Sequence, residues 1–231
     1  MTQQHHQQGH GNREDVSVLR SLRTLMPHRV LSYTEALQRA EAQATRLLTL
    51  HEINASPVPI EVVTEQPRIR LERAYDLPVS GSAVWDGATW IITLNASEFE
   101  LRQRFSLLHE YKHILDHPTR HLIRGDHQLS AEDMAEKVAD YFAACVLMPK
   151  AWIKSAFFSG TQRVPALARM FDVSSRAMSV RIQQLGLVEP VGRRAPHTTG
   201  NQARPTRPTY FRALSPNWPK TLPTRELAWT A

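Results

Sequence analysis

A chain of 231 residues with a formal net charge of +6 is long enough to bury a core, which points to one main domain with appendages. Its single cysteine, Cys145, rules out an intramolecular disulfide framework and fits a reducing compartment. No apolar run approaches the roughly 18 residues of a membrane span, and the opening MTQQHHQQGHGNRED lacks the apolar centre of a secretory signal, so a cytoplasmic protein with no membrane partner is expected.

In chain order, residues 1–15 form a Gln/His-rich tract whose composition predicts disorder. A short helix is expected over 16–26, stopped by Pro27. Leu37, Ala40, Ala44, Leu47 and Leu48 repeat at helical spacing, so 34–51 reads as an amphipathic helix that Ser32 or Thr34 can cap. Pro57 and Pro59 break the chain. Residues 60–64 read as a short helix or strand, 68–73 as a strand, and Pro78-Val79-Ser80-Gly81 as a turn. Asp86-Gly87 between 82–85 and 88–94 is a hairpin signal that sets Trp85 against Trp90. The second of these strands runs straight into the next helix. It could border a cleft there and accept an extended peptide by backbone pairing.

That next helix, FSLLHEYKHILDH, holds His109-Glu110-Tyr111-Lys112-His113, a match to H-E-x-x-H. Positions four apart on a helix differ by about 40° of rotation and about 6 Å of rise, so the two imidazoles point the same way and can grip one metal ion. Glu110 lies about 100° further round, within reach of a water on such an ion. Zinc suits this donor set and lowers the pKa of bound water to about 7, which a neighbouring carboxylate can exploit as general base. Arg102, Ser106, Glu110, His113 and His117 fall in one polar wedge. Leu101, Phe105, Leu107, Leu108, Tyr111, Ile114 and Leu115 fill the rest of the circumference, as in a buried helix with one face on a cleft. Ser97 and Glu100 have the spacing of a capping box.

A polar loop over 118–129 follows, carrying His121 and His127. Ser130 and Asp133 then open a helix over 131–148 that Pro149 ends. Glu136, Ala139, Asp140 and Ala143 lie on one of its faces, and the two alanines permit the close helix approach that a shared metal requires. This helix is the source expected for a third ligand. Glu132 is the less well placed acid, while His117 and His121 compete, with His117 carried away along the helix axis. The pattern H-E-x-x-H-x-x-G-x-x-H fails at Asp116 and Thr119.

The segments RQRFSLLHEYKHILDH and EKVADYFAACVLMP together resemble the ImmA/IrrE metallo-endopeptidase family. In that family an H-E-x-x-H helix is followed by the pattern E-x-x-A-N-x-F-A-x-x-L-L-M-P. The matching positions here are Glu136, Ala139, Asp140, Phe142, Ala143, Val146, Leu147, Met148 and Pro149. The strand from Trp90 to Asn95 and the later VPALARMFDVSSRAMSVRIQQLGL also look like the family, so the likeness covers about residues 34–188. The resemblance implies one Zn2+ per chain, or another divalent ion such as Mn2+, held by His109, His113 and Glu136, with Glu110 as general base. It also implies a protein substrate, a helix-turn-helix repressor of a mobile element or stress regulon. Two positions depart from the family pattern: Lys112 replaces a common Gly, and Asp140 a common Asn. Either Lys112 reaches Asp140, so that one substitution compensates the other and the pair supports the site, or Lys112 snorkels to the surface.

Residues 165–171, a turn at Asp172-Val173, and 174–185 before Gly186 read as two short helices. Arg169, Arg176 and Arg181 on them could meet nucleic-acid phosphates. This gives a second class of function, a non-proteolytic anti-repressor or DNA-binding regulator using residues 164–187. From Glu189 onward Arg193, Arg194, Arg204, Arg207, Arg212, Lys220 and Arg225 face only Glu189 and Glu226, so the tail carries most of the excess charge. The expected organisation is a disordered start (1–15), a zinc metallopeptidase domain (16–149), a helix-turn-helix-like extension (150–188) and a basic Pro/Arg-rich tail (189–231). The expected fold is α+β and zincin-like: a small, twisted, mostly antiparallel sheet packed on the H-E-x-x-H helix, followed by helical segments.

Overall fold

A computed structural model describes residues 17–125 and 129–187. The Gln/His-rich start, His127 and the basic tail from 189 onward lie outside the described residues. The fold is α+β. Its elements are α1 (Val18–Arg23), α2 (Tyr33–Leu50), α3 (Glu61–Thr64), β1 (Ile69–Ala74), β2 (Gly81–Trp85), β3 (Trp90–Asn95), α4 (Glu100–Asp116), α5 (Ala131–Leu147), α6 (Lys150–Phe158), α7 (Val164–Phe171) and α8 (Ser175–Gln184). A 3-10 turn over His117–Leu122 occupies part of the stretch read from sequence as a polar loop.

The three strands form a mixed sheet in the order β1-β3-β2. The hairpin β2–β3 is antiparallel, with Trp85 opposite Trp90 as expected from the Asp86-Gly87 turn. β1 instead runs parallel to β3. A short connection achieves this by passing the C-terminal end of β3, where Asn95 N–H donates to the Ser80 carbonyl at 3.0 Å and Asn95 Nδ2 to the Leu77 carbonyl at 3.0 Å. β3 is therefore the central strand, paired on both sides. It cannot accept an added peptide as the sequence order suggested, since a free edge is needed for that.

α4 packs against β2 and β3 on one side and α5 on the other, while α2 covers the opposite side of α5. The sequence explains this sandwich. Ala36, Ala40, Ala44, Leu47 and Leu48 put one buried stripe on α2. α5 is buried nearly all round over its second half, from Phe142 to Leu147. The cap residues of α2 and α5 act as the sequence indicates. Ser32 and Glu35 form a reciprocal capping box, and Ser130 accepts from the Asp133 N–H at 3.0 Å. α4 differs. Its N-cap is Phe99 with no side-chain cap, and Ser97 is held instead by the Asn95 carboxamide oxygen, which accepts from the Ser97 N–H at 3.0 Å. An Asx turn thus takes the serine that a capping box would have used.

α6, α7 and α8 share the same apolar core through Ile153, Phe157, Leu167, Phe171, Met178 and Ile182. Asp172, in the left-handed region at φ 52°, makes the turn between α7 and α8 and pairs with Arg104 Nε of α4 at 3.2 Å. No helix among the described residues is long and apolar enough to cross a membrane.

Lys112 does not pair with Asp140. Only 1% exposed, it donates from Nζ to Asp116 Oδ1 at 2.5 Å, one turn along the same helix. Burial pushes the Lys112 ammonium down from its usual range, and Asp116 works against that shift. Arg23 of α1 closes the same end of α4, donating to the Ile114 carbonyl at 2.7 Å and the Leu115 carbonyl at 3.3 Å. Removing one partner of a buried pair strands the other charge. Asp116→Ala is thus expected to cost about 3–5 kcal/mol in denaturant unfolding of the metal-free protein, whereas Lys112→Met with Asp116→Leu recovers most of it. A loss below about 1 kcal/mol in the single variant would contradict the pairing.

Candidate metal centre

The wedge of α4 that is not packed away carries His109, Glu110 and His113, and α5 brings Glu136 and Asp140 opposite it. The approach is possible because Ala139 and Ala143, both fully buried, lie on the face of α5 that also carries Glu136 and Asp140. His109 Nε2 and His113 Nε2 stand 3.0 Å apart. Glu136 Oε2 is 3.2 Å from His109 Nε2, and its Oε1 is 3.3 Å from His113 Nε2. Among the described residues these three form the group whose ligand atoms could hold a metal ion.

Their spacing supports that use. Donors bound at roughly 2.0–2.1 Å in a tetrahedron are separated by edges of about 3.3 Å. Two imidazole nitrogens facing each other across 3.0 Å cannot both keep lone pairs in contact without a cation between them or a proton on one. Asp140 fixes which nitrogen is available. Its Oδ1 lies 2.9 Å from His109 Nδ1, and a carboxylate can only accept, so Nδ1 carries hydrogen, and whenever the ring gives up a proton it is Nε2 that turns its lone pair to the cluster. A carboxylate behind a ligating histidine is the usual outer partner in such sites.

Electrostatics also call for a cation. Burial alone would lower the His109 imidazolium, but hydrogen bonds to Asp140 and Glu136 override it and hold the ring up to about 10. Glu136 is held well below the usual carboxylate range: burial opposes this, but the two imidazoles overcome it. With neutral imidazoles, Glu110, Glu136 and Asp140 surround the cluster with negative charge that a divalent ion would neutralise.

Glu110 has a different environment. Burial raises its carboxyl above the ordinary value, and the nearby histidines only partly reverse the shift. A carboxylate moved toward neutrality is the tuning a general base needs. It is seated against Gly81, the first residue of β2. A Cβ built there would stand 3.1 Å from Glu110 Cγ and 3.3 Å from its Oε1. The sequence reading took Gly81 only as a turn residue. The available signal was a glycine opening a strand, which marks close approach of another group to the backbone.

The remaining candidates lie elsewhere. His117 is exposed and stacks edge-on with Trp90 at 5.0 Å, and His121 and Glu132 are exposed away from the cluster. Tyr111 is fully buried and donates to Gln66 Oε1 at 2.9 Å, so its hydroxyl serves the core. Arg169 and Arg176 are exposed on α7 and α8. Arg181 is 1% exposed and donates from Nε to the Met148 carbonyl at 3.1 Å, which removes it from any phosphate-contacting surface. The helical period explains the difference: Met178, Arg181 and Ile182 share the inward face of α8.

No curated protein sequence matches the chain. A solved structure of a Mycobacterium tuberculosis transcriptional regulator superposes with a TM-score of 0.53 at 16% identity, over 72% of this chain and 51% of that one. At that identity the likeness speaks for the fold, and this chain spans about half the length of that structure. The family signature described as the IrrE N-terminal-like domain, a peptidase family, matches residues 66–183, which include every element of the His109–Glu136 cluster. With just over half of its length matched, the chain belongs to the peptidase family of the IrrE N-terminal-like domain.

Proposed function

We propose that the protein is a zinc-dependent endopeptidase of the cytoplasm, with His109, His113 and Glu136 as the ligands and Glu110 as general base. The observation that carries the reading is the meeting of two imidazoles and one carboxylate at 3.0–3.3 Å, with a desolvated second carboxylate beside them. Zinc held there would supply Lewis acidity toward a peptide carbonyl and its oxyanion. Glu110 would take a proton from the attacking water at a carboxylate oxygen and deliver it to the leaving amine. Asp140 keeps hydrogen on His109 Nδ1, so the Nε2 lone pair stays directed inward. Mn2+ is a second ion compatible with imidazole and carboxylate donors.

The proposed substrate is a helix-turn-helix transcriptional repressor of a mobile element or stress regulon. Membership of a peptidase family supports a protein substrate. The fold shared with a transcriptional regulator is compatible with a regulatory setting. The competing reading, DNA contact through α7 and α8, is weakened by the burial of Arg181.

Co-expression with the candidate repressor and mass analysis of its fragments tests the reading. The wild type is expected to yield two fragments. Glu110→Gln should keep one zinc per chain and lose cleavage by about 10²-fold or more, while Glu136→Ala should lose zinc as well. Full zinc content in Glu136→Ala would refute the ligand assignment. Fragments from Glu110→Gln at the wild-type rate would refute the base.

Gly81→Val provides an independent check. A larger side chain at that position must displace Glu110, and a shift of about 1 Å in a reacting group can cost about 100-fold. We expect kcat to fall by that order with zinc content unchanged. Undiminished kcat would show that Glu110 acts from some other position.

A further inference from the structure

The sheet leaves one edge open beside the metal cluster. β2 pairs with β3 on one side, and no strand among the described residues pairs with it on the other. Two bonds bracket its ladder: Asp86 N–H donates to the Thr89 carbonyl at 3.1 Å, and Asn95 N–H to the Ser80 carbonyl at 3.0 Å. Bonded and non-bonded pairs alternate between them. Ser82 and Val84 are therefore the β2 residues bonded to β3, while Gly81, Ala83 and Trp85 turn their N–H and C=O groups to the open edge. The same three residues share the face of the sheet that meets α4, since Gly81 stands against Glu110. An unpaired row of backbone donors and acceptors is what an extended peptide can bond to.

At the far end of this edge stands an aromatic shelf that the proposed chemistry does not use. The Trp85 and Trp90 rings lie 5.4 Å apart, and the Trp90 and His117 rings 5.0 Å apart. Trp85 is 37% exposed, and His117 is exposed one turn beyond His113 on the polar wedge of α4. Desolvation and the charges of Arg23 and Arg120 push the His117 imidazolium down, so its ring joins the shelf in the neutral form. The same two guanidinium groups disfavour a cation there. An aromatic or branched apolar side chain is what such a surface packs against best.

We propose that Trp85, Trp90 and His117 form a side-chain subsite that selects the protein substrate by one bulky apolar residue, in an extended segment paired along β2. Residues opposite each other in a sheet place their side chains on one face. The substrate residue opposite Trp85 thus lands on the shelf, while the one opposite Gly81 faces Glu110. From Gly81 to Trp85 the strand covers about 13 Å, so the selected residue lies about four positions from the bond held beside Glu110. The inference rests on the peptidase reading for the nature of the occupant, a protein segment. Binding on the edge and shelf needs neither zinc nor Glu110.

The probes are an acetylated, amidated nonapeptide of Ser and Thr with Phe at its centre, so that either chain direction can lie along β2, and its counterpart with Ala at the centre. Each is titrated into the full-length chain, zinc-loaded and metal-free, and followed by amide and indole N–H resonances. The Phe peptide is expected to bind about tenfold or more tightly than the Ala peptide in both states. It should shift the Trp85 and Trp90 indoles together with the Gly81 and Ala83 amides. Trp85→Ala is expected to reduce the preference for Phe to about threefold or less. His117→Ala, at an exposed position, should weaken it in the same direction and keeps the test open if Trp85→Ala disturbs the hairpin. Equal binding of the two peptides would overturn the proposal. So would shifts that gather on other exposed apolar residues, such as Phe158 and Met170, or a pairing of two copies that shields the β2 edge in the free protein. A chain that binds the Phe peptide on the shelf yet takes up no zinc would refute the peptidase reading and leave the subsite standing. One that cleaves but prefers neither peptide would refute the subsite alone.

Discussion

The close approach of α4 to α5 is the constraint on which the site depends. Two imidazoles from one helix and a carboxylate from the other meet within about one coordination diameter. Ala139 and Ala143, on the face of α5 that carries Glu136 and Asp140, leave no bulk to hold the helices apart. α4 is also fixed from behind. Leu107, Leu108, Tyr111, Ile114 and Leu115 bind it into the core, and Arg23 and the Lys112–Asp116 pair tie down its C-terminal half. With the backbone so held, the donors are oriented by the fold alone, as the proposed metal site would require.

Three carboxylates around one cluster have different surroundings, which move two of them in opposite directions, Glu136 down and Glu110 up. Glu136 faces both imidazoles and stays ionised, Asp140 sits behind His109 and is half-exposed, and Glu110 is desolvated against Gly81 and moved toward neutrality. Environments that push Glu136 and Glu110 apart are consistent with the proposed roles of metal ligand and general base, with Asp140 orienting His109. Lys112 is separate from this arrangement. Its partner is one turn away on its own helix, so the two departures from the family pattern, Lys112 and Asp140, have independent explanations.

Much of this was legible in the sequence because helical period is a local property. The four-residue spacing of His109 and His113 dictates a shared face, and the three- and four-residue spacings from Glu136 to Asp140 and Ala143 do the same on α5. Cap residues at Ser32 and Ser130 and the Asp86-Gly87 turn were equally readable. What was not readable depended on tertiary choices. β1 joins β3 in parallel because of a connection around the end of a strand, which no pattern in 69–95 announces. Lys112 was matched to Asp140 from the family pattern, and only the packing shows that Asp116, one turn along α4, is its partner. Arg181 looked like a surface cation from its charge, although its period places it with Met178 and Ile182. Ser97 lost its capping role to Asn95, a competition between two local motifs that sequence alone does not rank.

The central claim is that His109, His113 and Glu136 bind one ion together. The most direct measurement is anomalous diffraction at the zinc edge from crystals of the zinc-loaded protein. The account predicts a single peak bounded by His109 Nε2, His113 Nε2 and a Glu136 oxygen, each at about 2.0–2.2 Å. A peak that engages the histidines while Glu136 turns away, or one lying elsewhere in the molecule, would contradict it.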